Sequence, residues 1–177
     1  MNERAAIAGS VLSVGRSRLV GTVSLAGAKN SALRLLAATL LTDGTVTLTN
    51  YPAALLDAQV HVGMLEALGK RCRLMAANEI VIDQPGRIAE RLHWHDRSIR
   101  NTLLILGALT ARHGAGAVPL PGGCKLGERK YDLHVMLLER LGARVWEDGD
   151  YLCAEAPRGG LVGADIHLAL RSTGATE

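Results

Sequence analysis

Two stretches of the chain carry nearly the same residues. His61–Arg71 reads HVGMLEALGKR and His134–Arg144 reads HVMLLERLGAR, with seven of the eleven positions identical at an offset of 73. In each, the apolar residues (Val62, Leu65, Leu68 and Val135, Leu138, Leu141) recur at the three-residue steps of one helix face. Gly69 and Gly142 stand just past those helices, where a left-handed C-terminal cap takes glycine. Chance or shared helix propensity would explain the apolar spacing. It would not explain identical residues across a whole helix and its cap, so the match reads as a duplication.

The flanks extend the repeat. An apolar helix pattern and a strand pattern precede each stretch: Ser31–Leu41 with Thr45–Thr49, and Arg100–Arg112 with Ala115–Leu120. A strand pair follows each: Lys70–Met75 with Glu79–Ile82, and Ala143–Glu147 with Tyr151–Ala154. The turns between them are Ala77-Asn78-Glu79 and Asp148-Gly149-Asp150, the second a strong hairpin signal. A leading strand is expected over Gly21–Leu25. The fold class is therefore α/β (α+β), built of repeated βαβαββ units about a pseudo-threefold axis. The units span 21–96 and 97–160, and a third starts in 161–177. Residues 1–20 form a separate N-terminal segment. The period carries Gly27 to position 100 and on to Gly174 in RSTGATE, where a third long helix is expected to begin. Without that helix, Leu33, Leu36, Leu40, Leu103, Leu106 and Leu109 are expected to lack a partner on their inward faces.

Helix N-termini present unbonded N–H groups and a positive partial charge, so they receive anions. Lys29, in GAKN at Gly27–Asn30, and Arg100 are expected at equivalent helix starts, an arrangement suited to phosphate or carboxylate. Taken singly, each cation also reads as a solvated surface group. The segment Pro119–His134, PLPGGCKLGERKYDLH, sets Cys124 in a loop with Gly122, Gly123 and Gly127, close to Lys125, Arg129 and Lys130. Neighbouring cations and loop exposure favour the thiolate. A Gly-rich loop carrying an acid–base group also suits a lid. Cys72 and Cys153 fall within strand patterns and read as core or partly buried residues without chemistry.

Composition narrows the function classes. The chain of 177 residues is 48% hydrophobic and 21% charged, the balance of a globular domain rather than a disordered one. The net charge of +3 favours anionic partners only weakly, no Lys/Arg run reaches the length of a nucleic-acid patch, and five aromatic residues with no Phe argue against a base-stacking platform. The apolar run Leu103–Leu109 is far short of the roughly 18 residues of a membrane span. MNERAAIAGS has no signal-peptide character. Three cysteines without a CxxC pair suit a reducing cytoplasm. His93, His95 and His113 are dispersed, which gives no metal site, and nothing in the pattern calls for a cofactor.

GAKN at Gly27–Asn30, SIRNTLLILGALTAR at Ser98–Arg112, LPGGC at Leu120–Cys124, Gly127-Glu128-Arg129 and Asp132-Leu133-His134 together resemble the enolpyruvyl transferases. The likeness runs in register from about Gly21 to Glu177. The cysteine places it nearer the UDP-N-acetylglucosamine enolpyruvyl (1-carboxyvinyl) transferases than their cousin, 5-enolpyruvylshikimate-3-phosphate synthase. The resemblance implies two lobes, each of three βαβαββ units. It implies transfer of the enolpyruvyl group of phosphoenolpyruvate to the 3-hydroxyl of UDP-N-acetylglucosamine with release of phosphate, the first committed step of bacterial peptidoglycan synthesis. Cys124 matches the proton donor that can also bond phosphoenolpyruvate covalently. Lys29, Asn30 and Arg129 match phosphoenolpyruvate contacts. Arg100, Arg129, Lys130, Tyr131, Asp132 and Leu133 match nucleotide-sugar contacts, as do Ser172, Thr173 and Gly174. His134 reads as a helix-start residue.

The sequence also departs from the family. Lys130 stands where the family usually has proline, restoring an N–H and a free φ, so the uridine-side contact is expected to differ. Six units are expected and two, with the start of a third, are present. In the family the residues that take the hydroxyl proton, and further cleft arginines, come from the other lobe. Three readings follow. The chain is a fragment or half of a split enzyme, completed by a second polypeptide or by self-association. Alternatively it is an inactive remnant or interaction module, or it keeps the chemistry with another nucleotide acceptor.

Overall fold

The computed structural model describes residues 13, 15, 16, 18, 20–76, 78–96, 99–121 and 130–177. The first unit runs α1 (Lys29–Ala38), a 3-10 turn (Thr39–Leu41), β1 (Val46–Thr49), α2 (Leu56–Leu68), β2 (Arg71–Ala76) and β3 (Glu79–Asp83). The second repeats the order with α3 (Thr102–His113), β4 (Ala115–Pro119), α4 (Asp132–Arg140), β5 (Arg144–Asp148) and β6 (Tyr151–Glu155). A single turn, α5 (Thr173–Thr176), follows. Each unit folds its strands into a three-stranded antiparallel sheet, in the orders β1-β3-β2 and β4-β6-β5. The β2–β3 hairpin carries a bulge between Leu74 and Ala76, whereas β5–β6 is regular.

The duplication holds at the level of single hydrogen bonds. Gly69 donates to Glu66 and Gly142 to Glu139; Lys70 donates to Leu65 and Ala143 to Leu138; Ala89 donates to Leu68 and Val162 to Leu141. Each pair is related by the sequence offset, and α1 and α3 begin at residues related by the same offset. Gly69, at φ 110°, and Gly142, at φ 91°, take the left-handed conformation that only glycine adopts cheaply.

The core lies between the helices and the sheets. Leu33, Leu36 and Leu40 of the first helical segment and Leu103, Leu106 and Leu109 of α3 are all buried. This overturns the expectation that these six leucines would lack partners: α1 and α3 pack on one another, and α3 also covers the 3-10 turn and β4. Each buried leucine contributes on the order of 1.5–3 kcal/mol of apolar burial. The exposed apolar surface falls on α4 instead. Leu137, Leu138 and Leu141 are half-buried, and α4 buries no residue fully. Their repeat mates Met64, Leu65 and Leu68 of α2 are at most 1% exposed.

The expected leading strand over Gly21–Leu25 does not form. Those residues join no ladder, and Val23 and Leu25 are exposed. Alternating apolar residues make a strand only when a sheet edge accepts their N–H and C=O groups. Just ahead of the second unit such pairing does occur, against β4. Leu92 donates to Ala117 and Ala117 to Glu90, a parallel bridge of Arg91 onto β4. Among the described residues no helix is long and apolar enough to cross a membrane.

Candidate active site

The site begins where α1 meets the turn after β1. A Cβ on Gly27 would lie 1.9 Å from the Asn50 carbonyl oxygen, so only glycine lets this backbone rest on the Asn50–Pro52 turn. Asn50 itself takes φ 53° to make that turn. The close approach sets the start of α1. Ala28 occupies the N-cap with no side-chain acceptor, and the first turn of α1 contains no acid. Among the described residues no side chain caps the start of α1, so its leading N–H groups keep their partial positive charge. Lys29, the first residue of α1, is half-exposed and sends Nζ to Asp57 Oδ2 at 3.0 Å. Asp57 comes from the first turn of α2, where an acid complements the helix dipole. Asn30 is exposed beside Lys29.

A second group gathers around the start of α4. Arg100 donates from Nη2 to the Lys130 carbonyl at 2.7 Å. It lies in the turn two residues before α3, not at the position equivalent to Lys29, which the repeat assigns to Thr102. The expected equivalence of Lys29 and Arg100 is corrected accordingly: the apolar run of α3 starts only at Thr102. Tyr131 donates its hydroxyl to the Glu147 carboxylate, and this bond, more than burial, pushes the phenol pKa up. Asp132 starts α4 and accepts from the Leu133 N–H at 3.0 Å. His134 falls in the first turn of α4, and burial, then the Arg100 charge, push its pKa down. A Cβ on Gly174 would lie 3.5 Å from His134 Nε2. Ser172 caps α5, accepting from the Ala175 N–H at 3.2 Å, with Thr173 as the first helical residue.

The structure therefore brings Arg100, Lys130–Leu133 and Ser172–Gly174 into one neighbourhood, with His134 between them. Lys29 and Asn30 sit at the α1 terminus with Asp57. Cys124 and Arg129, and the rest of the 122–129 stretch, lie outside the described residues. Cys72 is half-buried and Cys153 buried, as expected from their strand patterns. Burial, with repulsion from Glu66 and Asp83, pushes the Cys72 thiol up to about 12, and burial also raises Cys153. Two partners escaped the sequence reading. Asp57 in LDAQ reads as an ordinary first-turn acid, and Glu147 as a strand-edge acid, because nothing in the spacing announces contacts across 28 or 16 residues. Among the described residues no cluster of His, Cys, Asp or Glu is arranged to hold a metal ion.

Comparison with known proteins bears on this geometry. Residues 14–177 match the family model of EPSP synthase (3-phosphoshikimate 1-carboxyvinyltransferase). A UDP-N-acetylglucosamine 1-carboxyvinyltransferase of Maricaulis maris is 43% identical over 173 residues, covering 92% of this chain and 38% of the relative. The enzyme of that name from Cereibacter sphaeroides is 39% identical over 170 residues, 95% of this chain and 40% of the relative. The chain thus spans about 40% of the length of the curated relatives it matches. In fold it is similar to the enolpyruvyl transferase NikO from Streptomyces tendae (TM-score 0.62, 21% identity, 84% of this chain and 32% of that one). An EPSP synthase from Acinetobacter baumannii gives a TM-score of 0.63 at 19% identity over 88% of this chain and 36% of its own. With the model match covering nearly the whole sequence, and with the same repeated architecture, the chain belongs to the EPSP synthase family of 1-carboxyvinyl (enolpyruvyl) transferases.

Proposed function

We propose that the chain carries one wall of a cleft that transfers the enolpyruvyl group of phosphoenolpyruvate to the 3-hydroxyl of UDP-N-acetylglucosamine, releasing phosphate. Lys29 and Asn30 bind phosphoenolpyruvate at the α1 N-terminus, with Arg129 reaching its phosphate. Arg100, the stretch from Arg129 to Leu133, and Ser172–Gly174 bind the nucleotide sugar. Cys124 protonates the methylene carbon. The observation that carries this reading is the uncapped start of α1 with Lys29 on it, in a chain that aligns with UDP-N-acetylglucosamine 1-carboxyvinyltransferases over more than nine-tenths of its length. The rest of the cleft comes from a second polypeptide or from self-association, and the work belongs to peptidoglycan precursor synthesis in the cytoplasm. Lys130, in place of the family's proline, favours a second reading in which the acceptor is a different nucleotide.

Calorimetric titration of the chain with phosphoenolpyruvate and, separately, with UDP-N-acetylglucosamine tests the reading. A charge-assisted hydrogen bond contributes about 1.5–3 kcal/mol. Lys29→Ala is therefore expected to weaken phosphoenolpyruvate, and Arg100→Ala the nucleotide sugar, by roughly 10- to 150-fold. Affinities unchanged in both variants would place the anion sites elsewhere.

A further inference from the structure

We propose that Glu147 is a positioning residue for the nucleotide sugar: through the Tyr131 hydroxyl it holds the Lys130–Leu133 edge in the conformation that binds. The proposal rests on the reading above that this edge contacts the nucleotide, and it adds the residue that sets the edge.

Glu147 belongs to β5, an edge strand, where it lies directly across from Leu152 of β6. Residues opposed in this way share a face of the sheet. Leu152 is buried in the core, so Glu147 stands on the helix-bearing face, exposed at its rim. The 73-residue step relates Glu147 to Leu74 and Tyr131 to Ala58. Leu74 likewise opposes a buried core residue, Ile80, so the two strand positions correspond. Leucine and alanine side chains form no hydrogen bond, and the first unit folds without one there. The duplicated architecture therefore does not require the Tyr131–Glu147 bond, which is particular to the unit that carries the candidate nucleotide contacts.

Several attachments converge on two adjacent residues. The Tyr131 ring packs against the core, and its hydroxyl donates to Glu147. The Tyr131 carbonyl accepts from the His134 and Val135 N–H groups at 2.9 and 3.1 Å, which starts α4. The Lys130 carbonyl accepts from Arg100 Nη2 at 2.7 Å. Lys130 has the free φ that a proline ring would remove. Two side-chain bonds, one from each flank, thus restrain the backbone that a proline at 130 would restrain covalently. An edge ordered before the ligand arrives does not have to be ordered by it. Each rotamer-rich side chain immobilised on binding weakens affinity by roughly 2- to 12-fold.

Two measurements on the intact chain test this. Amide hydrogen exchange followed by NMR reads the restraint without any ligand. Glu147→Leu, which installs the residue of the first unit, is expected to speed exchange of the His134 and Val135 amides several-fold and to leave the β5–β6 ladder unchanged. Calorimetry with UDP-N-acetylglucosamine reads the positioning. Glu147→Leu and Tyr131→Phe are each expected to weaken binding by roughly 2- to 12-fold, and the double variant no more than either alone. Glu147→Gln keeps an acceptor oxygen and is expected to bind nearly as the natural chain does. Phosphoenolpyruvate affinity is expected to stay unchanged in both Glu147 variants, which a general loosening of the fold would not allow. Exchange at His134 and Val135 unmoved by Glu147→Leu would overturn the proposal. So would an unmoved UDP-N-acetylglucosamine affinity, or single losses that add in the double variant. Failure of the functional reading looks different: the natural chain itself would not bind UDP-N-acetylglucosamine, although the exchange result held. That outcome removes the ligand for which the edge is set, and this proposal with it.

Discussion

His61 gives the chain a built-in sensitivity to mild acid. Its side chain is fully buried on α2, and among the described residues neither ring nitrogen has a hydrogen-bond partner. Burial pushes its pKa down from the ordinary 6.5 to about 4. The folded chain therefore refuses a proton that the unfolded chain accepts, and stability is lost as pH falls from about 6.5 toward 4. The proton-linkage relation gives a loss of about 2 kcal/mol between pH 7 and pH 5 from this one residue. With a urea slope of about 2 kcal/mol/M, the denaturation midpoint is expected to drop by roughly 1 M. His113 and His134, whose pKa values burial also lowers, add to the fall in the same direction. Asp83, held low by its hydrogen bond to Arg71, titrates below this window. The assay is urea unfolding followed by circular dichroism at both pH values, for the natural chain and for His61→Leu. The variant fills the site without a buried polar ring, so it is expected to match or exceed the natural stability at pH 7. It should lose most of the pH dependence. A His61→Leu chain whose midpoint falls as steeply as that of the natural chain would refute the reasoning.

Other expectations are equally direct. Gly27→Ala puts a methyl into the Asn50 carbonyl, so it is expected to cost about 1–3 kcal/mol of stability and, by displacing Lys29, to weaken phosphoenolpyruvate binding; thermal melting and calorimetry would show both. Gly63→Ala would bring a Cβ to 2.7 Å from the Trp94 ring, and a red-shifted Trp94 emission in a Trp146→Phe background is the expected sign of its displacement. Mass spectrometry after a brief pulse of an electrophilic epoxide resembling phosphoenolpyruvate should find the label on Cys124, since the Cys72 and Cys153 thiols are both held protonated. Label on either strand cysteine instead would remove the case for Cys124.

The repeat was legible because a duplicated helix and its cap leave the same letters twice, and hydrogen bonds such as Ala89 to Leu68 and Val162 to Leu141 obey the spacing read from those letters. The ends of elements were less so. Arg100 stands where the period puts Gly27, but α3 starts at Thr102, since a helix start is decided by where backbone N–H groups find carbonyls. The strand expected over Gly21–Leu25 failed for a related reason: alternation gives a residue a side, not a partner. The leucines were assigned correctly to the inward faces but wrongly to exposure, because α1 and α3 cover each other and the deficit passes to α4. In the site, Lys29 was readable from GAKN. Asp57 was not, because pairing across a fold leaves no mark in local spacing.

The most direct test of the account is turnover in the reconstituted system. The 177-residue chain, mixed with the remaining portion of the Maricaulis maris relative, is assayed for phosphate released from phosphoenolpyruvate with and without UDP-N-acetylglucosamine. The account predicts release only when both polypeptides and both substrates are present, with loss of activity in Cys124→Ala and Lys29→Ala. A stoichiometric complex that binds both substrates and releases no phosphate, or release that survives both substitutions, would contradict it.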